Sequence, residues 1–142
     1  MPAKPRLRLV SVYSTPQSAK ILYELLAERN SRINISHRAM PTPAQHRAFI
    51  RSKPYRGWFL LKSTLNNFVG SVYLSKGNEI GIFIFKKHRA LGYGKAALKI
   101  IQSRFSPKRF LANINPANKE SINFFKKAGF KHIQNTYELR KK

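Results

Sequence analysis

The chain has 142 residues, and its 28 lysines and arginines against 5 acids, all glutamate, give a formal charge of +23. A hydrophobic content of 42% is enough for one packed core, so the composition argues against disorder and 1–142 reads as a single domain. The absence of cysteine excludes disulfides, thiolate catalysis and thiolate-bound zinc, and no apolar run approaches the ~18 residues of a membrane span.

Arg6 to Tyr13 alternates apolar residues as a first strand does. Pro16 opens a helical pattern through Ile21, Leu22, Leu25 and Leu26, ending near Asn30, and Ser31 to Pro41 reads as a loop. Thr42 then caps a second helix with Pro43 in its first turn, and Pro54 closes it. Gly57 to Lys62 and Phe68 to Leu74 form a hairpin around Asn66 and Asn67. The turn Lys76-Gly77-Asn78 leads into a strand from Glu79 to Phe85. A basic loop precedes a helix over Lys95 to Phe105, which Pro107 breaks. Phe110 to Ile114 is a short strand, about Ala117 to Ala128 a helix capped by Gly129, and Phe130 to Leu139 a final strand. The order β-α-α-β-β-β-α-β-α-β predicts an α+β domain with a mixed, mostly antiparallel sheet and helices on both faces.

The stretch Lys86 to Gly94, KKHRALGYG, joins a strand to a helix and is the most informative in the chain. Without a Cβ, Gly92 and Gly94 let the backbone turn sharply or approach a ligand closely. The unpaired N–H groups and positive dipole end of the following helix form an anion site, with Lys86, Lys87 and Arg89 adding field. Neither the P-loop nor the full dinucleotide fingerprint is present. The bland alternative is a tight turn that simply needs glycine.

Arg89-Ala90-Leu91-Gly92-Tyr93-Gly94 resembles the R/Q-x-x-G-x-G/A signature of the GNAT superfamily of acyl-CoA-dependent N-acetyltransferases. Asn118, Ser121, Phe125, Gly129 and Phe130 sit at the spacing of that superfamily's N-x-x-A/S-x-x-x-Y-x-x-x-G-F segment. The resemblance covers essentially the whole chain and implies a sheet splayed at a central parallel strand pair. It implies acetyl-CoA as donor and no metal. The diphosphate would lie across the amides of Leu91, Gly92, Tyr93, Gly94 and Lys95, beside Arg89. The pantetheine arm would pair with backbone near Ile82 and Ile84, with Asn118 and Ser121 flanking the thiol end. For Asn118 a hydrogen bond at the helix start is the competing role.

Aminolysis of a thioester needs a neutral amine, yet a lysine-like amine of pKa ~10.4 is neutral in only roughly one part in 2,500 at pH 7. Glu79, which opens the strand leading to the loop, is the candidate base; its other reading is a counter-ion in a very basic protein. Glu24, Glu28, Glu120 and Glu138 read as surface charges. Where many members of the superfamily carry a tyrosine acid, this chain has Phe125, leaving Tyr73, Tyr93, Tyr137 or unassisted thiolate departure. His37, His46, His88 and His132 form no metal-ligand spacing. His37 and Arg38 fall in the loop that would build the acceptor pocket, with Tyr55 and Trp58 nearby, although Trp58 reads first as core.

The acceptor this implies is a primary amine attacked directly in a ternary complex. A small amine is favoured because the chain is compact and the loop Asn34 to Pro41 is short, for instance a nucleotide-linked amino sugar whose phosphates suit the positive field. A protein or peptide amine is the alternative, as is a non-catalytic module binding CoA or nucleic acid. Nucleic acid is suggested by charge alone, without a finger, homeodomain or RNA-recognition motif. The N-terminus MPAKPRLRLV lacks the apolar stretch of a signal peptide, so the cytoplasm is the expected compartment.

Overall fold

The computed structural model describes residues 6–29 and 40–141. Strand β1 (Leu7–Ser11) leads through a 3₁₀ turn into helix α1 (Ser18–Ala27), and helix α2 (Pro43–Arg51) precedes strands β2 (Tyr55–Ser63), β3 (Phe68–Ser75) and β4 (Ile80–Ile84). A second 3₁₀ turn, Lys86–His88, then leads to helices α3 (Tyr93–Arg104) and α4 (Lys119–Lys127). The strands form one antiparallel sheet in the order β1-β2-β3-β4. No helix among the described residues is long and apolar enough to cross a membrane.

Alternation along the strands divides the core into two layers. Leu9, Leu61, Val69, Val72, Leu74 and Ile80 face α3, where Ala97, Leu98 and Ile101 complete the cluster. On the other face, Val12, Trp58, Leu60 and Phe85 meet Ile21, Leu22 and Leu25 of α1 and Ile50 of α2. Leu60, Leu61, Val69, Val72, Leu74 and Ile101 are wholly buried, each burial contributing ~1.5–3 kcal/mol. The predicted start of α2 forms as a capping box: Thr42 Oγ1 accepts from Gln45 N at 3.1 Å while Thr42 N donates to Gln45 Oε1 at 2.9 Å.

Two expected strands differ. Phe110 to Ile114 supplies only one parallel rung, Glu79 opposite Leu111, with Ile80 N donating to Leu111 O at 2.7 Å and Leu111 N to Asn78 O at 2.9 Å. Beyond it no further rung forms among the described residues; Asn113 Nδ2 donates to Glu79 Oε2 and the Asn115-Pro116 turn follows. Phe130 to Leu139 joins no strand among the described residues. Its apolar residues Ile133, Tyr137 and Leu139 are 64%, 89% and 92% exposed, so no sheet edge covers them. Helix α3 also begins earlier than Lys95, immediately after the left-handed residue Gly92.

Candidate active site

In an antiparallel ladder, alternate residues turn their backbone groups to opposite sides of the strand. Ser75 N donates to Glu79 O at 2.8 Å and Phe85 N to Val69 O at 2.9 Å, so the odd-numbered residues of β4 bond to β3. Ile80, Ile82 and Ile84 therefore direct their N–H and C=O groups to the opposite edge. Leu111 O accepts from Ile80 N, and Arg89 Nε donates to Ile84 O at 3.2 Å. The N–H and C=O of Ile82 and the N–H of Ile84 have no partner among the described residues. An open edge of this kind accepts an extended amide-bearing chain.

That edge leads to the basic loop. Ala90 and Gly92 both have positive φ, 62° and 89°, the left-handed conformation that only glycine takes without a penalty of about 1–2 kcal/mol. Gly92 is the N-cap of α3, and the first helical bond of the turn runs from Ala96 N to Gly92 O at 3.1 Å. The N–H groups of Tyr93, Gly94 and Lys95 precede that bond and lack intrahelical acceptors. Gly94 acts through packing instead. A Cβ there would lie 3.3 Å from Cε2 of Phe124, so its bareness lets α4 pack close. Lys86, Lys87, Arg89, Leu91 and Lys95 are exposed around this mouth. Glu28, expected as a mere surface charge, accepts from Lys86 N at 2.8 Å and ties the end of β4 to α1.

Glu79 lies at the other end of β4, whose five residues at about 3.4 Å each span roughly 17 Å. Its Oε1 accepts from Ser75 Oγ at 3.3 Å, its N–H donates to the same oxygen at 2.9 Å, and its Oε2 accepts from Asn113 Nδ2. The carboxylate thus links β3, β4 and the segment after α3. Asn118 Oδ1 accepts from Ser121 N at 3.1 Å and caps α4.

A cavity of about 320 Å³ lies between α1, α2 and the sheet, on the face opposite α3. Its walls are aromatic. Tyr55 and Tyr73 stack at 4.0 Å with 13° between planes, Trp58 meets Tyr55 edge-on at 4.9 Å, and Tyr73 leads on to Phe83 at 6.1 Å. The Arg29 guanidinium sits 4.3 Å from the centroid of Phe83. Burial pushes the Tyr55 hydroxyl up to about 12, with the neighbouring Tyr73 adding to it, and burial likewise raises Tyr73. Burial lowers Arg29, which remains a cation at neutral pH.

The expected pocket residues Tyr55 and Trp58 line this cavity, and Trp58 is at the same time core. His37 and Arg38 lie outside the described residues. Of the substitute acids, only Tyr73 faces the cavity; Tyr93 packs against the α3 core and Tyr137 is exposed. Phe125 is buried in edge-on contact with Phe124 and Phe130, both at 5.0 Å. Arg29, Phe83 and Ser71 were not singled out from the sequence. The strand alternation that sends Ile82 and Ile84 into one core sends Phe83 to the other face, and that signal was available for Phe83.

Residues 6–131 match the family model described as the acetyltransferase (GNAT) domain. Among solved structures, a domain from Methanocaldococcus jannaschii superposes with a TM-score of 0.78 at 20% identity, covering 94% of each chain. An N-acetyltransferase from Staphylococcus aureus Mu50 gives 0.67 at 16% identity, covering 93% of this chain and 86% of its own. A phosphinothricin acetyltransferase from Sinorhizobium meliloti, solved in complex with acetyl-CoA, gives 0.67 at 21%, covering 91% and 76%. No curated protein sequence gives a match.

Proposed function

Because this chain belongs to the GNAT family and is by that membership an acetyl-CoA-dependent N-acetyltransferase, we propose that it binds the donor along β4 and acetylates a primary amine held in the aromatic cavity. The observation that carries this reading is the continuity of the open Ile82–Ile84 edge with the Gly92-capped start of α3. The N–H groups of Leu91 to Lys95 suit a diphosphate, and the unpartnered groups of Ile82 and Ile84 suit the amides of a pantetheine arm. Asn118 and Ser121 would flank its thiol end while capping α4.

The reaction transfers an acetyl group without redox change. The amine nitrogen attacks the thioester carbonyl carbon, a C–N bond forms, the C–S bond breaks, and the amine proton passes to a base. Glu79 is the proposed base, at the end of β4 remote from the diphosphate. A β4 N–H donates to the developing oxyanion. The Tyr55 and Tyr73 hydroxyls stay protonated at neutral pH and serve as donors, whereas a phenol raised above its ordinary value is a poor acid toward a thiolate. The thiolate therefore leaves unassisted, consistent with phenylalanine at position 125.

We take an amino sugar, presented on a nucleotide, as the acceptor. A cavity of about 320 Å³ is at the small end of the ~300–1,000 Å³ range for small-molecule sites. It suits the sugar, with the remainder of such a ligand outside. The test is thiol release from acetyl-CoA across amines, with donor affinity measured separately. Glu79→Gln is expected to lower kcat by about 10²–10⁴-fold with unchanged acetyl-CoA affinity. A variant that loses only thermal stability removes Glu79 from the chemistry.

A further inference from the structure

We propose that Arg29 is the specificity-determining residue of the acceptor cavity, selecting a small amine that carries an oxyanion, carboxylate or phosphate, on an apolar-faced body. This deepens the acetyltransferase reading of the same cavity and rests on it.

Three observations converge. First, Arg29 follows the C-cap of α1 at the cavity wall, where its guanidinium lies across Phe83 at 4.3 Å. A guanidinium offers five N–H donors in a fork that matches the two oxygens of a carboxylate or phosphate. Ring contact fixes the plane of that fork, and partial burial strengthens any oxyanion it meets. Secondly, none of the five glutamates lines the cavity. Glu28 is committed to Lys86 N, and Glu79 to Ser75 and Asn113. A polycationic amine would meet the Arg29 cation with no carboxylate among the described wall residues, at a Coulombic cost. Thirdly, Tyr55, Trp58 and Tyr73 provide flat apolar walls beside the cation, suited to the face of a sugar or a side-chain ring. The cation also favours the neutral, nucleophilic form of an ammonium bound beside it, because like charges disfavour protonation.

The test compares matched acceptors in the thiol-release assay: glucosamine 1-phosphate against glucosamine, phenylalanine against phenethylamine, and spermidine as a polycation. At least one anionic member is expected to exceed its neutral partner in kcat/KM by about 10–100-fold, the worth of a charge-assisted hydrogen bond. Which pair shows the larger ratio separates phosphate from carboxylate recognition. Arg29→Met should reduce that ratio below about 3-fold while acetyl-CoA affinity holds, and Arg29→Lys, which keeps charge without the fork, should fall between. An equal or better neutral partner, a preference for spermidine, or an Arg29→Met variant that retains the ratio would overturn the assignment. Binding of the amine-free analogues glucose 1-phosphate and 3-phenylpropionate gives a readout independent of turnover. If no amine is acetylated, their binding to the wild type and loss in Arg29→Met still supports Arg29. Failure of both analogues to bind the wild type refutes it. Loss of acetyl-CoA binding itself refutes the donor-site reading instead.

Discussion

Gly81→Ala is the substitution that most directly tests how the sheet shapes the acceptor cavity. Gly81 is opposite Tyr73 in the β3–β4 register, and the tyrosine ring lies over it. A Cβ added there would stand 2.0 Å from Cε2, 2.4 Å from Cζ and 2.8 Å from Cδ2 of Tyr73. The ring has no easy retreat, because Tyr55 stacks on it at 4.0 Å. Overpacking of this kind costs ~1–3 kcal/mol, and loss of the tyrosine stack adds ~0.5–1.5 kcal/mol. The sum is about 1.5–4.5 kcal/mol, a fall in Tm of roughly 5–16 °C for a domain of this size. Urea and thermal denaturation of Gly81→Ala, Tyr73→Ala and the double variant give the measurement as a cycle. Once Tyr73 is truncated the new methyl has room, so Gly81→Ala should then cost less than about 0.5 kcal/mol. In the single variant the displaced ring should raise acceptor KM without changing acetyl-CoA affinity. A cost that is equal in both backgrounds, or absent in the wild type, would refute the packing argument.

Gly92→Ala puts a side chain on a left-handed residue with φ of 89°, so it should lose about 1–2 kcal/mol in chemical denaturation and weaken acetyl-CoA in calorimetry. Unchanged affinity after a confirmed loss of stability would detach Gly92 from the anion site. The raised Tyr55 pKa, about 12, carries a sign. Between pH ~10 and ~12 the unfolded chain has lost the phenolic proton while the native chain keeps it. The native state then binds more protons, so stability present below pH ~10 is lost as pH rises through that interval. Tyr55→Phe should flatten this alkaline slope in urea titrations from pH 9 to 12; an unaltered slope assigns it elsewhere.

What the sequence announced was local chemistry. Thr42, Pro43 and Gln45 form a capping box whose partners are three residues apart, and Gly92 stands where a left-handed N-cap is needed. The unreadable parts depend on distant neighbours. Phe130 to Leu139 has β-formers, but a strand requires an edge to join, and no residue in the segment reports whether one is within reach. Phe110 to Ile114 forms a single rung, at Leu111, and the Asn113–Glu79 bond beside it joins residues 34 apart in sequence. Arg29 illustrates the same limit at the site. A cation just past an amphipathic helix looks like solvated surface, and only its place over Phe83 makes it part of a cavity wall.

One strand organises both proposed substrate sites. The even-numbered residues of β4 send their side chains into the α3 core and their backbone groups to the open edge. Its odd-numbered residues bond to β3 and turn Gly81 and Phe83 to the acceptor face. A slip of one residue would exchange both assignments together: donor-edge groups would be consumed by β3, and isoleucines would fill the cavity. Register is therefore a functional quantity here. It is set at the β3–β4 turn, where Asn78 has a φ of 66° and Ser75 Oγ accepts from Glu79 N at 2.9 Å. Glu79 Oε1 accepts from that same hydroxyl. The carboxylate proposed as base thus also fixes the register on which both sites depend, and loss of kcat in Glu79→Gln identifies a base only while the affinities for both substrates stay intact.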